Sequence, residues 1–348
     1  MVSTAIGVMS GTSLDGLDIC YAQFEEKDSK WKFKIIKADT IPYSNAWENK
    51  LRNAIHLSAE ELLELHSDYG FFLGETIKNF ITKKSLQKID LIASHGHTVF
   101  HRPSKKFTLQ IGDGRAIKIV NQIPVIYDFR SQDVLLGGNG APLVPIGDHH
   151  LFSAYDACIN LGGFSNISLL KNGERIAFDI CPVNIVLNHF ALQLGKKYDE
   201  KGNIAQQGTI NNIVLEKLNQ LPFYQKLHPK SLGIEWCNAE IFPLLNKLSS
   251  EDALATITEH AALQISNIFN QFQVKKVLFT GGGSYNNFLI EKITAKTTSE
   301  IIIPDSLTID FKEALIFAFM GVLRQNNINN VLSSTTGSKY DHCTGVIA

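Results

Sequence analysis

Apolar positions in this chain come first as short runs and only later at helical spacing. Residues 5–9 are continuously apolar, the pattern of a strand. A turn of small polar residues follows at 10–13. Stretches 18–24 and 31–38, parted by the charged turn 25–30, read as two more strands, so the chain opens on an antiparallel meander. Helical periodicity then predicts elements over 46–56 and 58–83. The second begins at a capping box, Ser58 and Glu61, and sets Leu62, Leu65, Tyr69, Phe72 and Leu73 on one face. Strands at 91–94, 107–111 and 125–129, with a helix at 114–121, complete a β-meander, helix-pair and alternating α/β order.

A glycine-rich segment with Pro142 and Pro145 interrupts this pattern, and then it restarts. Residues 157–161, 166–171 and 176–180 read as three strands with a Gly-Gly turn after the first. Helical stretches follow at 185–194, 210–219, 239–248 and 251–272, then a strand at 277–280. His149 and His150 read as the start of a helix. Two copies of a three-strand-first unit predict two similar α/β domains. The expected division is 1–130 and 131–348, with the tail 325–348 also a candidate member of the first.

Composition narrows the function classes. The 348 residues are 44% hydrophobic and 19% charged, with a formal net charge of −1, so the concentrated basic surface that nucleic acid requires is not expected. The five cysteines are odd in number and contain no CxxC pair. Neither a disulfide framework nor a zinc ribbon is indicated, and a reducing cytoplasm fits. No basic leader or long apolar span is present, so neither secretion nor a membrane partner is expected. His95, His97 and His101 lie across a strand end and loop without nearby Cys or acidic ligands, which argues against zinc.

Three glycine turns carry the candidate chemistry. In IGVMSGTSLDGLD, at 6–18, Gly11 and Gly16 allow close backbone approach, Thr12 and Ser13 add hydroxyl donors, and Asp15 and Asp18 stand within reach of a phosphate-bound cation. A hairpin turn with surface carboxylates is the plain alternative. No Walker lysine and no GxGxxG follow, which removes the two commonest phosphate loops. Gly162 and Gly163 repeat the turn in the second half. Gly281, Gly282 and Gly283 follow a strand and precede a helix, where bare backbone can face a phosphate. In α/β sheets, ligands favour the crevice beyond the strand ends.

Taken with MSGTSLDGLD at 9–18, the blocks SHGHTVFHRP at 94–103, LQIGDG at 109–114, DFRSQDVLLGGNGAPLVP at 128–145, NLGGFSNIS at 160–168, HPKSLGIE at 228–235 and TGGGSYN at 280–286 resemble the anhydro-N-acetylmuramic acid kinase family. That resemblance implies two ribonuclease-H-like domains of the actin, Hsp70 and hexokinase superfamily around an interdomain nucleotide cleft. It implies ATP and Mg²⁺, an amino-sugar substrate and a homodimer. It also implies phosphorylation of the 6-oxygen of 1,6-anhydro-N-acetylmuramic acid with hydrolytic ring opening, a step of cell-wall recycling.

Carried onto this chain, Gly11, Thr12, Ser13, Leu14, Asp15, Gly16, Leu17 and Asp18 join the other two turns in ATP binding, and Asp15 and Asp18 hold Mg²⁺ through water. Asp179 matches the base of an FDTGPGN-type motif that here reads FDICPVN. Ile180, Cys181 and Val183 replace Thr, Gly and Gly, which raises the question of substrate fit. Arg130 and Glu313 match sugar contacts. The plain alternatives are a helix cap for Asp179, a salt bridge to Asp128 or Asp133 for Arg130, and a helix-dipole partner at a helix start for Glu313. Two other functions stand beside the leading one: a kinase for a different amino sugar, and a nucleotide-gated binding module.

Overall fold

The computed structural model describes every residue except Thr12, Ser13 and Asp15. In chain order it opens with β1 (Val2–Ser10), β2 (Leu17–Lys27), β3 (Lys30–Ile41), α1 (Asn45–Asn53) and α2 (Ala59–Lys83). β4 (Leu91–Ser94), β5 (His97–Arg102), β6 (Phe107–Ile111), α3 (Gly114–Asn121), β7 (Val125–Tyr127), α4 (Ser131–Leu135) and α5 (Pro145–His150) follow. A second set begins with β8 (Ala157–Leu161), β9 (Phe164–Lys171), β10 (Glu174–Pro182), α6 (Asn184–Gln193) and α7 (Asn212–Asn219). Short helices α8 (Pro222–Gln225), α9 (Ile234–Trp236) and α10 (Phe242–Leu245) lead to α11 (Ser250–Gln271), β11 (Lys276–Thr280), α12 (Asn287–Thr294) and β12 (Glu300–Ile302). The chain ends with α13 (Ser306–Gln325), α14 (Ser333–Thr336) and β13 (Val346–Ile347).

Two compact units result, Met1–Phe152 with Phe311–Ala348, and Ser153–Asp310. The first carries a sheet ordered β13-β7-β4-β1-β2-β3. β1 is antiparallel to β2, and β4 runs parallel to β1. β1 is central, and residues 3–10 are all buried. Alternation along the strand divides its neighbours. Ile6 and Val8 join Leu65, Tyr69, Leu73 and Ile77 of α2 in one core cluster, whereas a Cβ on Gly7 would overlap the Ala314 carbonyl of α13. The expected capping box is present: Glu61 N–H donates to Ser58 Oγ, and Ser58 N–H donates to Glu61 Oε2 at 2.8 Å.

The second unit has a sheet ordered β10-β9-β8-β11-β12, with an antiparallel meander followed by parallel strands. Ile159, Leu161, Ile167 and Phe178 pack with Leu254, Ile257, Ala261 and Ile265 of α11 in its core. The third-second-first-fourth-fifth strand order is common to both sheets once the two-residue edge β13 is set aside. The repeated meander read from the sequence is present in both units, and the arrangement is the ribonuclease-H-like one that the family resemblance implied.

The observed partition differs from the boundary drawn at residue 130. Residues 131–152 and all of 311–348 pack with the first unit. Asp133 shows why, since its carboxylate accepts Gly140 N–H at 2.6 Å and the Thr336 hydroxyl at 2.7 Å. Lys312 of α13 pairs with Asp148 of α5 at 2.7 Å, both side chains buried. His149 and His150 close α5 rather than opening a helix, because Pro145 already sits at its first turn.

Candidate functional site

Within the second unit, the glycine turn after β8 and the one after β11 lie against each other. Gly281 has φ +82°, and a Cβ there would overlap Asn160 Oδ1. A Cβ on Gly283 would come 2.7 Å from Leu161 Cβ, so both positions are held to glycine by the β8 strand end. Gly282 differs: a Cβ on it would meet nothing closer than Asn184 Nδ2 at 4.0 Å. The carbonyls of Gly162 and Gly163 accept N–H groups from Val183, Asn184 and Ile185 at the start of α6. Their own N–H groups have no partner among the described residues. Asn184 Nδ2 donates to Leu161 O at 3.1 Å and fixes the same corner. Ser284 Oγ is buried without a hydrogen-bond partner. Unpaired backbone donors, one open glycine and an orphaned hydroxyl fit a phosphate chain. Asn184, retained from the FDTGPGN-type motif, and Ser284, in the third glycine turn, were given no role from the sequence.

In the first unit, Thr12, Ser13 and Asp15 fall outside the described residues. Gly11 O accepts Leu14 N–H at 3.4 Å. Leu14 is in the left-handed region at φ +59°. Leu14 and Leu17 turn their side chains into the core, at 7% and 1% exposure, which leaves only their backbone for a ligand. Gly16 is needed by packing, since a Cβ would come 2.8 Å from Ile41 O. Asp18 Oδ1 accepts the Thr40 hydroxyl at 2.6 Å. Its negative charge contributes to raising the pKa values of Cys20, Tyr43 and Glu313, a potential that suits a cation.

Arg130 precedes α4 at the end of the β7 segment. Its Nε donates to His95 Nε2 at 2.8 Å and its Nη1 to Gly140 O at 2.6 Å, and no salt bridge joins it to Asp128 or Asp133 among the described residues. Asp128 instead accepts Ser131 N–H at 3.2 Å. His95 Nδ1 is 2.9 Å from Gly96 O, so Nδ1 carries the proton and Nε2 is the acceptor. Burial first, then the Arg130 charge, hold His95 far below its ordinary pKa, and the ring stays neutral. Burial also lowers Arg130, while Glu313 and Asp133 pull it back up; a guanidinium remains charged regardless. His95 is therefore a residue the sequence presented only as a metal candidate, and its role is to hold an arginine. His97 and His101 bond separately, to Ser10 Oγ at 3.0 Å and Thr108 Oγ1 at 3.2 Å.

Glu313 does not open a helix. It is the eighth residue of α13, too far in for the helix dipole to explain it. The helix starts earlier, where Asp305 accepts Thr308 N–H at 3.0 Å. Surrounding protein raises the Glu313 pKa; Arg130 lowers it, Asp18 raises it and Lys312 lowers it. The residue is nonetheless exposed, so water access moderates the first of these effects.

Asp179, on β10, is half-buried. Its Oδ2 accepts Leu232 N–H at 2.7 Å, and its own N–H donates to Lys230 O at 3.0 Å. A strap at 230–232 thus clamps it to the edge of the sheet. It does not cap α6, whose N-cap is Val183 with no side-chain bond. Burial raises the Asp179 pKa, opposed by the Leu232 N–H. Ile180, Cys181 and Val183 are 2%, 0% and 0% exposed and belong to the core. Cys181 Sγ lies 3.3 Å from Ser165 Oγ and 4.0 Å from Ala261 O. The departures from FDTGPGN therefore sit in the packing beneath the strand. The strap is a second feature without an assigned role at the sequence level, although its block was part of the resemblance.

The two sheets and their glycine-lined strand ends define an α/β protein with two units of ribonuclease-H-like strand order. Over residues 3–348 the chain matches the family described as anhydro-N-acetylmuramic acid kinase, and it belongs to that family. Relatives of that name include one from Mannheimia succiniciproducens, 34% identical over 98% of each chain, and one from Haemophilus influenzae, 33% identical over 98% of this chain and 97% of the relative. Among solved structures, a ROK family glucokinase from Streptomyces griseus in complex with glucose and AMPPNP is similar at TM-score 0.42 and 10% identity, over 91% of this chain and 99% of that one.

Proposed function

We propose that this chain is an ATP-dependent kinase that converts 1,6-anhydro-N-acetylmuramic acid and water into N-acetylmuramic acid 6-phosphate in cell-wall recycling. The observation that carries the reading, beside family membership, is Asp179: a half-buried carboxylate with a raised pKa, held through one oxygen by Leu232 N–H. Oδ1 takes a proton from water as that water attacks the anomeric carbon. The bond from that carbon to the 6-oxygen breaks with its electron pair going to oxygen, as in inverting glycoside hydrolysis. The freed 6-oxygen attacks the γ-phosphorus of ATP, and ADP leaves.

Arg130, oriented by His95, and Glu313 bind the sugar. The turns at Gly11, Thr12, Ser13, Leu14 and Gly16, at Gly162 and Gly163, and at Gly281, Gly282 and Gly283 bind the nucleotide phosphates. Asp18, with Asp15, holds Mg²⁺ through water. That ion, when bound, offsets phosphate charge. The cytoplasm is the proposed compartment, consistent with five free cysteines, and a homodimer is the proposed assembly. No helix among the described residues is long and apolar enough to cross a membrane.

The reaction is tested with ATP, Mg²⁺ and the anhydro sugar in ¹⁸O-enriched water, followed by mass spectrometry. One ¹⁸O at the anomeric position of a singly phosphorylated product is expected. Phosphorylation without ring opening, or no transfer to the anhydro sugar, refutes the reading.

A further inference from the structure

Helix α11 is mostly apolar where it packs, yet a polar line runs along it: His260, Gln264, Asn267 and Gln271 follow at spacings of four, three and four, one face of a helix. The last three border a cavity of about 240 Å³ together with Asn219, Tyr224 and Lys230, over the apolar side chains Ile180, Leu263 and Ile268. Asp179 is not one of its walls.

The polar walls are already ordered. Asn219 Oδ1 accepts from His260 Nδ1 at 2.7 Å and from Gln264 Nε2 at 3.0 Å, which leaves His260 Nε2 to accept the Tyr224 hydroxyl proton at 2.7 Å. His260 is fully buried and Gln264 is 9% exposed. Burial lowers His260 to about 3, so the ring adds no charge. These bonds use one end of each amide and leave the Asn219 amino group, the Gln264 carbonyl and the Tyr224 oxygen lone pairs for a guest. Among the described residues, Lys230 is the only charged one in the wall. It donates to Phe223 O at 3.4 Å and lies 4.7 Å from the Phe223 ring centroid, with no carboxylate paired to it among the described residues. A half-buried ammonium without a counter-charge favours an anion.

We propose that this cavity is a second ligand site on the Ser153–Asp310 unit, taking a single sugar ring that bears one acidic group. The amides and the Tyr224 oxygen meet ring hydroxyls, the half-buried Leu263 and Ile268 meet the apolar face of the ring, and Lys230 Nζ meets the acid. The volume lies below the ~300 Å³ at which pockets for drug-sized ligands begin, which limits the guest to about one ring. A sugar phosphate and a sugar carboxylate share this chemistry.

Titration calorimetry of the full chain separates the two with N-acetylglucosamine 6-phosphate and N-acetylmuramic acid as probes, and neutral N-acetylglucosamine and inorganic phosphate as controls. At least one acidic sugar is expected to bind ten-fold or more tighter than either control. Lys230→Met and Asn267→Leu should each weaken that binding ten-fold or more, while Arg130→Ala, in the other unit, leaves it unchanged. Asn267 is exposed, so its variant keeps the core intact. The Lys230 backbone holds Asp179, and the readout is therefore binding and not turnover. Binding that survives both substitutions, equal binding of the neutral sugar, or no binding of either acid overturns the proposal. Loss of binding in Arg130→Ala alone assigns the event to the proposed kinase site and also overturns it.

Discussion

Asp179 is a carboxylate whose burial favours its protonated form, and that sign has two measurable consequences. As a base it works only when deprotonated, so the acid limb of kcat/KM should fall above the ordinary carboxylate range of ~4. Because the folded protein binds this proton more tightly than the unfolded chain does, the charged side chain costs native stability at pH values above its native pKa. Asp179→Asn is therefore expected to cut turnover by about 10²–10⁴-fold, leave ATP affinity unchanged, and unfold at the same or a higher temperature by calorimetry. Wild-type turnover in that variant would remove Asp179 from the mechanism. His95 tests Arg130 in the same way. His95→Phe strands the Arg130 Nε–H at a cost of about 1–3 kcal/mol, so the KM for the sugar should rise about ten-fold while the KM for ATP holds. His95→Gln, which keeps an acceptor, should recover most of the loss, and combining His95→Phe with Arg130→Ala should add little. Equal damage from Phe and Gln would make His95 merely structural.

At the scale of elements, the turn after β11 makes the sharpest contrast. Gly281→Ala places a Cβ on Asn160 at a positive φ, so thermal stability and nucleotide affinity should fall together. Gly282→Ala meets open space and should weaken ATP binding, read by equilibrium titration, with the unfolding temperature unchanged. Much of this layer was legible in sequence. The capping box set the start of α2, and an apolar run marked β1 as a strand, because local chemistry decides both; its central place in the sheet came only with the pairing. Other elements were hidden. β5 is written HTVFHR, too polar to show as a strand, and is held by pairing with β6. Residues 239–248, read as one helix, divide into a π-helical turn over 237–241 and α10, with Pro243 at the break. Asp310 hid the true start of α13 at Ser306. The candidate glycine turns were visible, but not that Gly16 serves the packing of β3, nor that Ile180, Cys181 and Val183 are core residues. Contacts far apart in sequence decide those points.

The whole chain is one unit interrupted by another: it leaves the first after Phe152 and returns at Phe311. No local signal marks this, because α13 belongs to the first unit through contacts such as Gly7 with Ala314 and Asp148 with Lys312. Those contacts make the two parts unequal when separated. Residues 153–310 contain a full five-stranded sheet and its core cluster, so that segment produced alone should unfold cooperatively and show dispersed amide resonances. Residues 1–152 lack α13, whose residues 314–320 are at most 1% exposed. Losing that helix uncovers one face of β1 and leaves Asp148 buried without its cation, the latter alone costing about 3–5 kcal/mol. The 1–152 segment should therefore be unfolded or aggregated in the same spectra. Adding residues 311–348 back through a short Gly/Ser linker in place of 153–310 should restore dispersion. If 1–152 folds alone, α13 is not an integral layer of the first unit.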